Sequence, residues 1–160
     1  MTKTPTTCQI CGRGIQAKTG LIAHHGYKRP GNGWQTASCY GAKFRPYEVA
    51  CDAIEGAINA CERFIAGANV RIAEMLSNPP AEIVENRKVG WNTYTSTLAR
   101  PEGFDPFAKS PGSYQQGGRG HYECLFHQRL NDWRRKIDAA QTDIEFLTDR
   151  LATWAPAQAA

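Results

Sequence analysis

Two thiols held two residues apart constrain this chain more than any other feature. Cys8 and Cys11 stand at C-x2-C spacing and are followed at once by Gly12-Arg13. A tight turn of this kind presents two thiolates to one metal ion, and a glycine relieves the backbone strain behind the second of them. Twelve residues then separate Cys11 from His24, and His25 is adjacent to it. Zinc prefers four tetrahedral nitrogen and sulfur ligands, and a fully closed set is structural rather than catalytic. Zinc is therefore the expected cofactor.

Inside the gap, Ile15 falls four positions after Cys11 and Leu21 three before His24. This C-x2-C-x3-apolar-x5-Leu-x2-His pattern resembles the first three-quarters of a two-Cys, two-His zinc finger. The resemblance implies a hairpin followed by a helix, with Ile15 and Leu21 forming the small core between them. The chain departs from the family at the fourth ligand: where a second histidine would fall, it has Lys28, Arg29 and Pro30. Cys39 is the best replacement, making the expected set Cys8, Cys11, His24 and Cys39. His25 competes with His24, because one residue of slip exchanges them. CQICGR and HHGYKRPGNGWQTASC also resemble small zinc-finger proteins of bacteriophages and mobile elements, over about the first 50 residues. That likeness implies a protein that binds nucleic acid or blunts a host defence complex in the host cytoplasm.

At 160 residues the chain can bury one core plus a small metal-stapled satellite. Nothing in it resembles a signal peptide, and no apolar run approaches membrane-spanning length. Six cysteines in a chain this long, the first two at metal spacing, fit a reducing cytoplasm better than a disulfide scaffold. The net charge of +4 is unevenly spread. Residues 1–46 carry Lys3, Arg13, Lys18, Lys28, Arg29, Lys43 and Arg45 and no acid, whereas the remainder carries 12 basic and 15 acidic residues. A basic lobe of this kind attracts phosphates or an acidic protein face.

Tyr27, Trp34 and Tyr40 are interleaved with those cations. Aromatic rings among basic residues suit base stacking with phosphate neutralisation. Lys18, Lys28, Arg29, Trp34, Lys43 and Arg45 are the candidate nucleic-acid contacts. The blander alternative is that Trp34 and Tyr40 only roof the metal module. Sequence-specific readout is not expected: the base-reading positions of a finger helix would hold Ala17, Gly20 and Ala23. None of these can make the bidentate contacts that discriminate bases.

Beyond the finger, apolar residues recur at Ala50, Ile54, Ala57, Cys61, Phe64, Ala68, Ile72 and Met75, predicting a one-sided helix over about 47–77. Asn78-Pro79-Pro80 ends it. Gly56 and Gly67 would permit close approach of a partner backbone. Phe126, Leu130, Trp133, Ile137, Ala140, Ile144, Leu147, Leu151 and Trp154 keep a 3/4 spacing that predicts a coiled-coil helix over about 119–155. The two helices are expected to pair antiparallel, large residues into small. Between them, residues 80–118 form an insertion whose Glu82–Leu98 stretch has strand character, turning near Val89-Gly90. Gly117-Gly118-Arg119-Gly120 before the second helix is a phosphate-site candidate, with a flexible join as the plainer reading. The predicted fold class is α+β: a zinc module (1–46) and a helical hairpin carrying a β insertion (47–160).

His121, Cys124 and His127 could serve a second metal, but they drift around the helix and no fourth ligand is near. Cys51 and Cys61 read as core residues, and Asp143 as part of a solvated acidic face. Arg134-Arg135-Lys136 is a local basic cluster. Adjacent histidines beside a C-x2-C resemble His-Asn-His metal nucleases, yet the second C-x2-C and the compact downstream motif of that class are missing. No nucleophile elbow or phosphate-binding loop is visible. The expected function is that of a non-catalytic accessory protein binding DNA or RNA through phosphates. A module that binds a host protein complex is the alternative and a metal-dependent nuclease the third, with self-association through the helices also open.

Overall fold

The computed structural model describes residues 6–28, 35–109 and 119–156. Two compact units make up the chain, Met1–Ile65 with Asp138–Ala160, and Ala66–Ile137. The architecture is α+β, with small antiparallel hairpins and two helices among the described residues. No helix there is long and apolar enough to cross a membrane.

The first unit begins with three hairpins: β1 (Thr6–Thr7) with β2 (Gly14–Ile15), β3 (Ala17–Lys18) with β4 (Leu21–Ile22), and β5 (Gly26–Lys28) with β6 (Gln35–Ser38). The helix expected between Ile15 and His24 does not form. Ala17 pairs with Ile22 and Lys18 with Leu21, so Thr19 and Gly20 make a two-residue turn with φ of 54° and 80°. Positive φ at both positions is the signature of the type I′ turn, whose twist matches that of the flanking strands. A strand alternates faces, so neighbours there point opposite ways. Ile22 is buried, and Leu21, the expected core residue, is 41% exposed.

The metal-site segment is not a satellite standing apart over residues 1–46. Cys8, Ile10, Cys11, Ile22 and Cys39 share one core with Ala53, Ile54, Ala57 and Leu147. A segment this short has too little apolar interior of its own, and it borrows one from the helix ends. The first helix, α1 (Ile54–Ser77), also starts later than about residue 47. Residues 46–53 are held in turns instead: Tyr47 N–H donates to Thr7 O at 2.8 Å, and Ala50 N–H to Pro46 O at 3.0 Å. Gln9, fully buried, accepts the Ala53 N–H through Oε1 at 2.8 Å. A side chain far upstream thus satisfies a backbone donor where the helix begins. Gly56 meets a side chain rather than a backbone: a Cβ there would lie 3.0 Å from Tyr40 Oη. Gly67 faces open space, against expectation.

The second unit contains the hairpin of β7 (Glu82–Val89) and β8 (Asn92–Ala99). Val89 pairs with Asn92, leaving Gly90-Trp91 as the two-residue turn, with φ of 62° at Gly90. Its core is Ile83, Tyr122, Phe126 and Leu130, packed with Ile72, Met75, Leu76, Leu98 and Phe104. Phe104 meets the rings of Tyr122 and Phe126 edge-on, each at 5.0 Å between centroids. Pro79 and Pro80 contribute carbonyls, accepting from Arg100 Nη1 at 2.6 Å and from Tyr122 Oη.

The second helix, α2, runs Arg119–Ala152. Of its predicted seam, Phe126, Leu130, Ile137, Ala140 and Leu147 are buried, while Trp133, Ile144, Leu151 and Trp154 are half-buried. Tyr122 was not among the expected seam positions and is one of the most deeply buried side chains. On α1, Phe64 is 40% exposed rather than in the seam. Asp143 is not on a solvated face: it is buried and accepts the Tyr27 hydroxyl at 2.8 Å.

Candidate metal centre

Local backbone geometry builds the first half of the site. Gly12 N–H donates to Cys8 O at 3.1 Å, Cys8 N–H donates to Arg13 O at 2.9 Å, and Gly12 has φ of 68°. The chain thus curls around the point both sulfurs face, and the left-handed residue is the glycine that the spacing demanded. The second half comes from the turn after β6. Cys39 N–H donates to His25 O at 2.9 Å, and Ala42 N–H to Cys39 O at 3.1 Å. Gly41 in that turn passes directly over the first sulfur. A Cβ at Gly41 would lie 2.5 Å from Cys8 Sγ and 3.1 Å from Ile10 Cγ1. Sequence reasoning missed Gly41, although its place two residues after a ligand cysteine mirrors the glycine after Cys11.

Cys8, Cys11, His25 and Cys39 converge, with one ligand atom from each and all four within 4.8 Å of one another. Cys8 Sγ and Cys39 Sγ are 3.8 Å apart, and His25 Nε2 lies 3.4 Å from Cys11 Sγ. Tetrahedral zinc, with bonds of about 2.3 Å to sulfur and about 2.0–2.1 Å to nitrogen, would set these separations near ~3.8 and ~3.6 Å. A disulfide needs sulfurs about 2.05 Å apart, and all six cysteines are unbridged. The Cys3His cluster has the size and donor chemistry to hold a metal ion.

His25, and not His24, supplies the nitrogen. Its Nδ1 lies 2.8 Å from Ala23 O, which as a donor bond leaves Nε2 facing the sulfurs. Metal-ligating histidines are commonly oriented by such a bond on the other ring nitrogen. His24 is exposed and pairs instead with Ser38 Oγ. His25 lies beyond β4 and is held there by the Cys39 N–H on its carbonyl and by the Ala23 carbonyl at its Nδ1.

Three thiols this close cannot ionise independently. The Cys11 thiol is driven far below its usual range by the thiols of Cys39 and Cys8. Cys39 is pushed far above it by the same Cys11 and Cys8 contacts, and Cys8 is raised, chiefly by Cys11. The three thiols therefore titrate as one set, and a bound cation would favour the thiolate form of each. Arg13 stands beside Cys11, with Nη2 donating to Gly26 O. Its Nε is buried without a hydrogen-bond partner among the described residues.

A second layer locks this arrangement. Gln9 Nε2 donates to Arg45 O and to Asp52 Oδ1, each at 2.8 Å. Arg150 donates through Nε to Gln9 O at 3.1 Å and through Nη2 to Cys8 O at 3.3 Å. Its guanidinium lies 3.9 Å from the centre of the Tyr47 ring. Neither Gln9 nor Arg150 stands out in the sequence, since their partners are mostly backbone groups far away along the chain.

The candidate nucleic-acid contacts are placed less completely. Lys43 is exposed, in a turn with φ of 69°. Arg45 is exposed but paired with Asp52 at 2.8 Å, so one of the six candidates already has a carboxylate partner. Lys18 and Lys28 sit in β3 and β5, whereas Arg29 and Trp34 lie outside the described residues, as does Gly117-Gly118. Tyr40 is half exposed and stacks on Phe44 at 5.6 Å. His121 and Cys124 do not gather into a second ligand set. Buried His121 instead pairs through Nε2 with Glu85 at 2.9 Å, and Cys124 Sγ accepts from Gln128 Nε2 at 3.7 Å. No family model, no curated protein and no solved structure matches this chain.

Proposed function

We propose that this protein is a non-catalytic, zinc-stapled accessory protein that binds nucleic acid through phosphates. The metal would be structural. Three cysteines and one histidine fill all four positions of a tetrahedral zinc ion, leaving none for water or substrate. The single observation that carries the nucleic-acid reading is charge segregation: seven cations and no carboxylate within residues 1–46. Lys18, Lys28, Arg29 and Lys43 would make the phosphate contacts, beside an Arg45 that already pairs with Asp52. With strands where a finger would place its reading helix, the described residues of this lobe offer charge without a base-reading helix.

The test is binding of labelled single- and double-stranded DNA and RNA across a salt series by the zinc-loaded protein. Affinity should fall with a log–log slope of about −0.7 to −0.9 per phosphate neutralised, and should vary little with sequence. Absence of binding at low salt sinks the reading. A partner of protein type is the second reading, favoured by exposed Val70 on α1 and Phe107 after β8. A single stoichiometric protein partner that survives nuclease treatment would establish it.

A further inference from the structure

The β7–β8 hairpin is far longer than its packing requires. Among its described side chains, burial is confined to the root. Ile83 and Leu98, directly paired, enter the second unit's core, and Arg129 Nη2 donates to Val84 O at 2.7 Å. Arg100 N–H closes the open end on Ala81 O at 2.7 Å, and His121 grips Glu85. Beyond that root, Thr95 Oγ1 donates across the ladder to Asn86 Oδ1 at 2.8 Å. A lone two-stranded ribbon is marginal in water, so this anchorage is what lets it project as a defined arm.

The tip has its own chemistry. Trp91 occupies the second turn position and is 98% exposed, and Tyr94 is 58% exposed. The turn itself asks only for glycine at its first position, which Gly90 supplies. Nothing in the fold accounts for an indole there. Residues 86–95 read NRKVGWNTYT, with two cations and no carboxylate. The hairpin's two acids, Glu82 and Glu85, lie toward the root, and Glu85 is taken by His121. In the ladder, Arg87 stands opposite Tyr94 and Lys88 opposite Thr93. Exposed aromatic faces with adjacent cations and no anion match a polyanion whose bases are free to stack. That describes single-stranded nucleic acid, since paired bases hide their faces.

We infer that the β7–β8 tip is a single-strand-binding arm, with Trp91 and Tyr94 as stacking platforms and Lys88 as a phosphate contact. The inference rests on the nucleic-acid reading above but assigns a separate site. Its test uses the full zinc-loaded chain with a fluorescein-labelled dT12 strand and a 20-base-pair duplex. Trp91→Ala should weaken dT12 binding roughly five- to 150-fold, and Trp91→Phe should restore most of it. The salt slope should be unchanged by Trp91→Ala and smaller by about 0.7 in Lys88→Gln. Duplex binding should be insensitive to Trp91→Ala. If wild type binds dT12 and Trp91→Ala binds it equally well, the arm is refuted while the proposed function stands. An equal loss on strand and duplex, or a protein partner lost with Trp91→Ala while dT12 binding persists, also overturns the arm. If wild type binds neither probe at low salt, both readings fail together.

Discussion

Arg150 holds the carbonyl of Cys8, donating from Nη2 at 3.3 Å across 142 positions of sequence. The same guanidinium reaches Gln9 O and lies on the Tyr47 ring, while Tyr47 Oη donates to Arg150 O at 2.6 Å. The end of the last helix thereby fixes the backbone of the first metal-binding turn. Arg150→Met keeps much of the apolar stem and loses the charged donors. It should destabilise the metal-loaded protein by about 1–3 kcal/mol and weaken its hold on metal. Urea unfolding and competition with a chromogenic chelator would measure the two effects.

Metal content separates the two histidines. The purified protein should carry one zinc per chain by mass spectrometry. His25→Ala and Cys39→Ser should each lose it, and chelation of the wild type should unfold the first unit's hairpins. His24→Ala should keep full occupancy with stability changed by less than about 0.5 kcal/mol, because His24 is exposed. Loss of zinc from His24→Ala with retention in His25→Ala would reverse the ligand assignment.

Gly41 is required by space alone, since a methyl group there would meet Cys8 Sγ at 2.5 Å. Gly41→Ala should therefore cost about 1–3 kcal/mol of stability and accelerate metal loss. Gly67→Ala is the control. It faces open space in mid-helix and should stabilise the protein by about 0.5–1 kcal/mol. Thermal melts of both variants against wild type would decide.

Asp52 gives a pH signature. Hydrogen bonds from the Gln9 amide, then from Arg45, hold its carboxyl below the ordinary 3.8. Because the folded value is the lower one, the contribution is fully present above about pH 3.8 and is lost as pH falls through the folded value. The stability difference between wild type and Asp52→Asn should thus be flat from neutral pH to about pH 5 and shrink below pH 3.8. A gap that widens on acidification would contradict the assignment.

Root and tip of the β7–β8 hairpin should respond oppositely to truncation. Ile83 is fully buried, so Ile83→Ala should cost about 2–5 kcal/mol. Trp91→Ala removes a larger side chain from open water and should leave the melting temperature unchanged within about a degree. A large loss in Trp91→Ala would mean that the indole has a structural partner.

Much of this molecule was legible in short stretches of sequence. C-x2-C-Gly defines a turn by local sterics alone, and that turn is present with Gly12 in the left-handed region. The hairpin followed from aromatic and β-branched residues around Gly90, and α2 from its 3/4 periodicity. The error between Ile15 and His24 was also local: Thr19-Gly20 is a turn pair, but a likeness to fingers favoured a helix through it. The strand in its place turned Leu21 out and Ile22 in.

What the sequence could determine on its own was which residues had the chemistry to bind metal, and where local periodicity would make helices and strands. Those properties depend on side-chain type and on neighbours within a few positions. Tertiary structure decided which histidine completes the cluster, why residue 41 must be glycine, and how Gln9 and Arg150 hold the turn. These depend on atoms brought together from distant positions, and on backbone carbonyls that every residue carries alike, so no residue pattern encodes them.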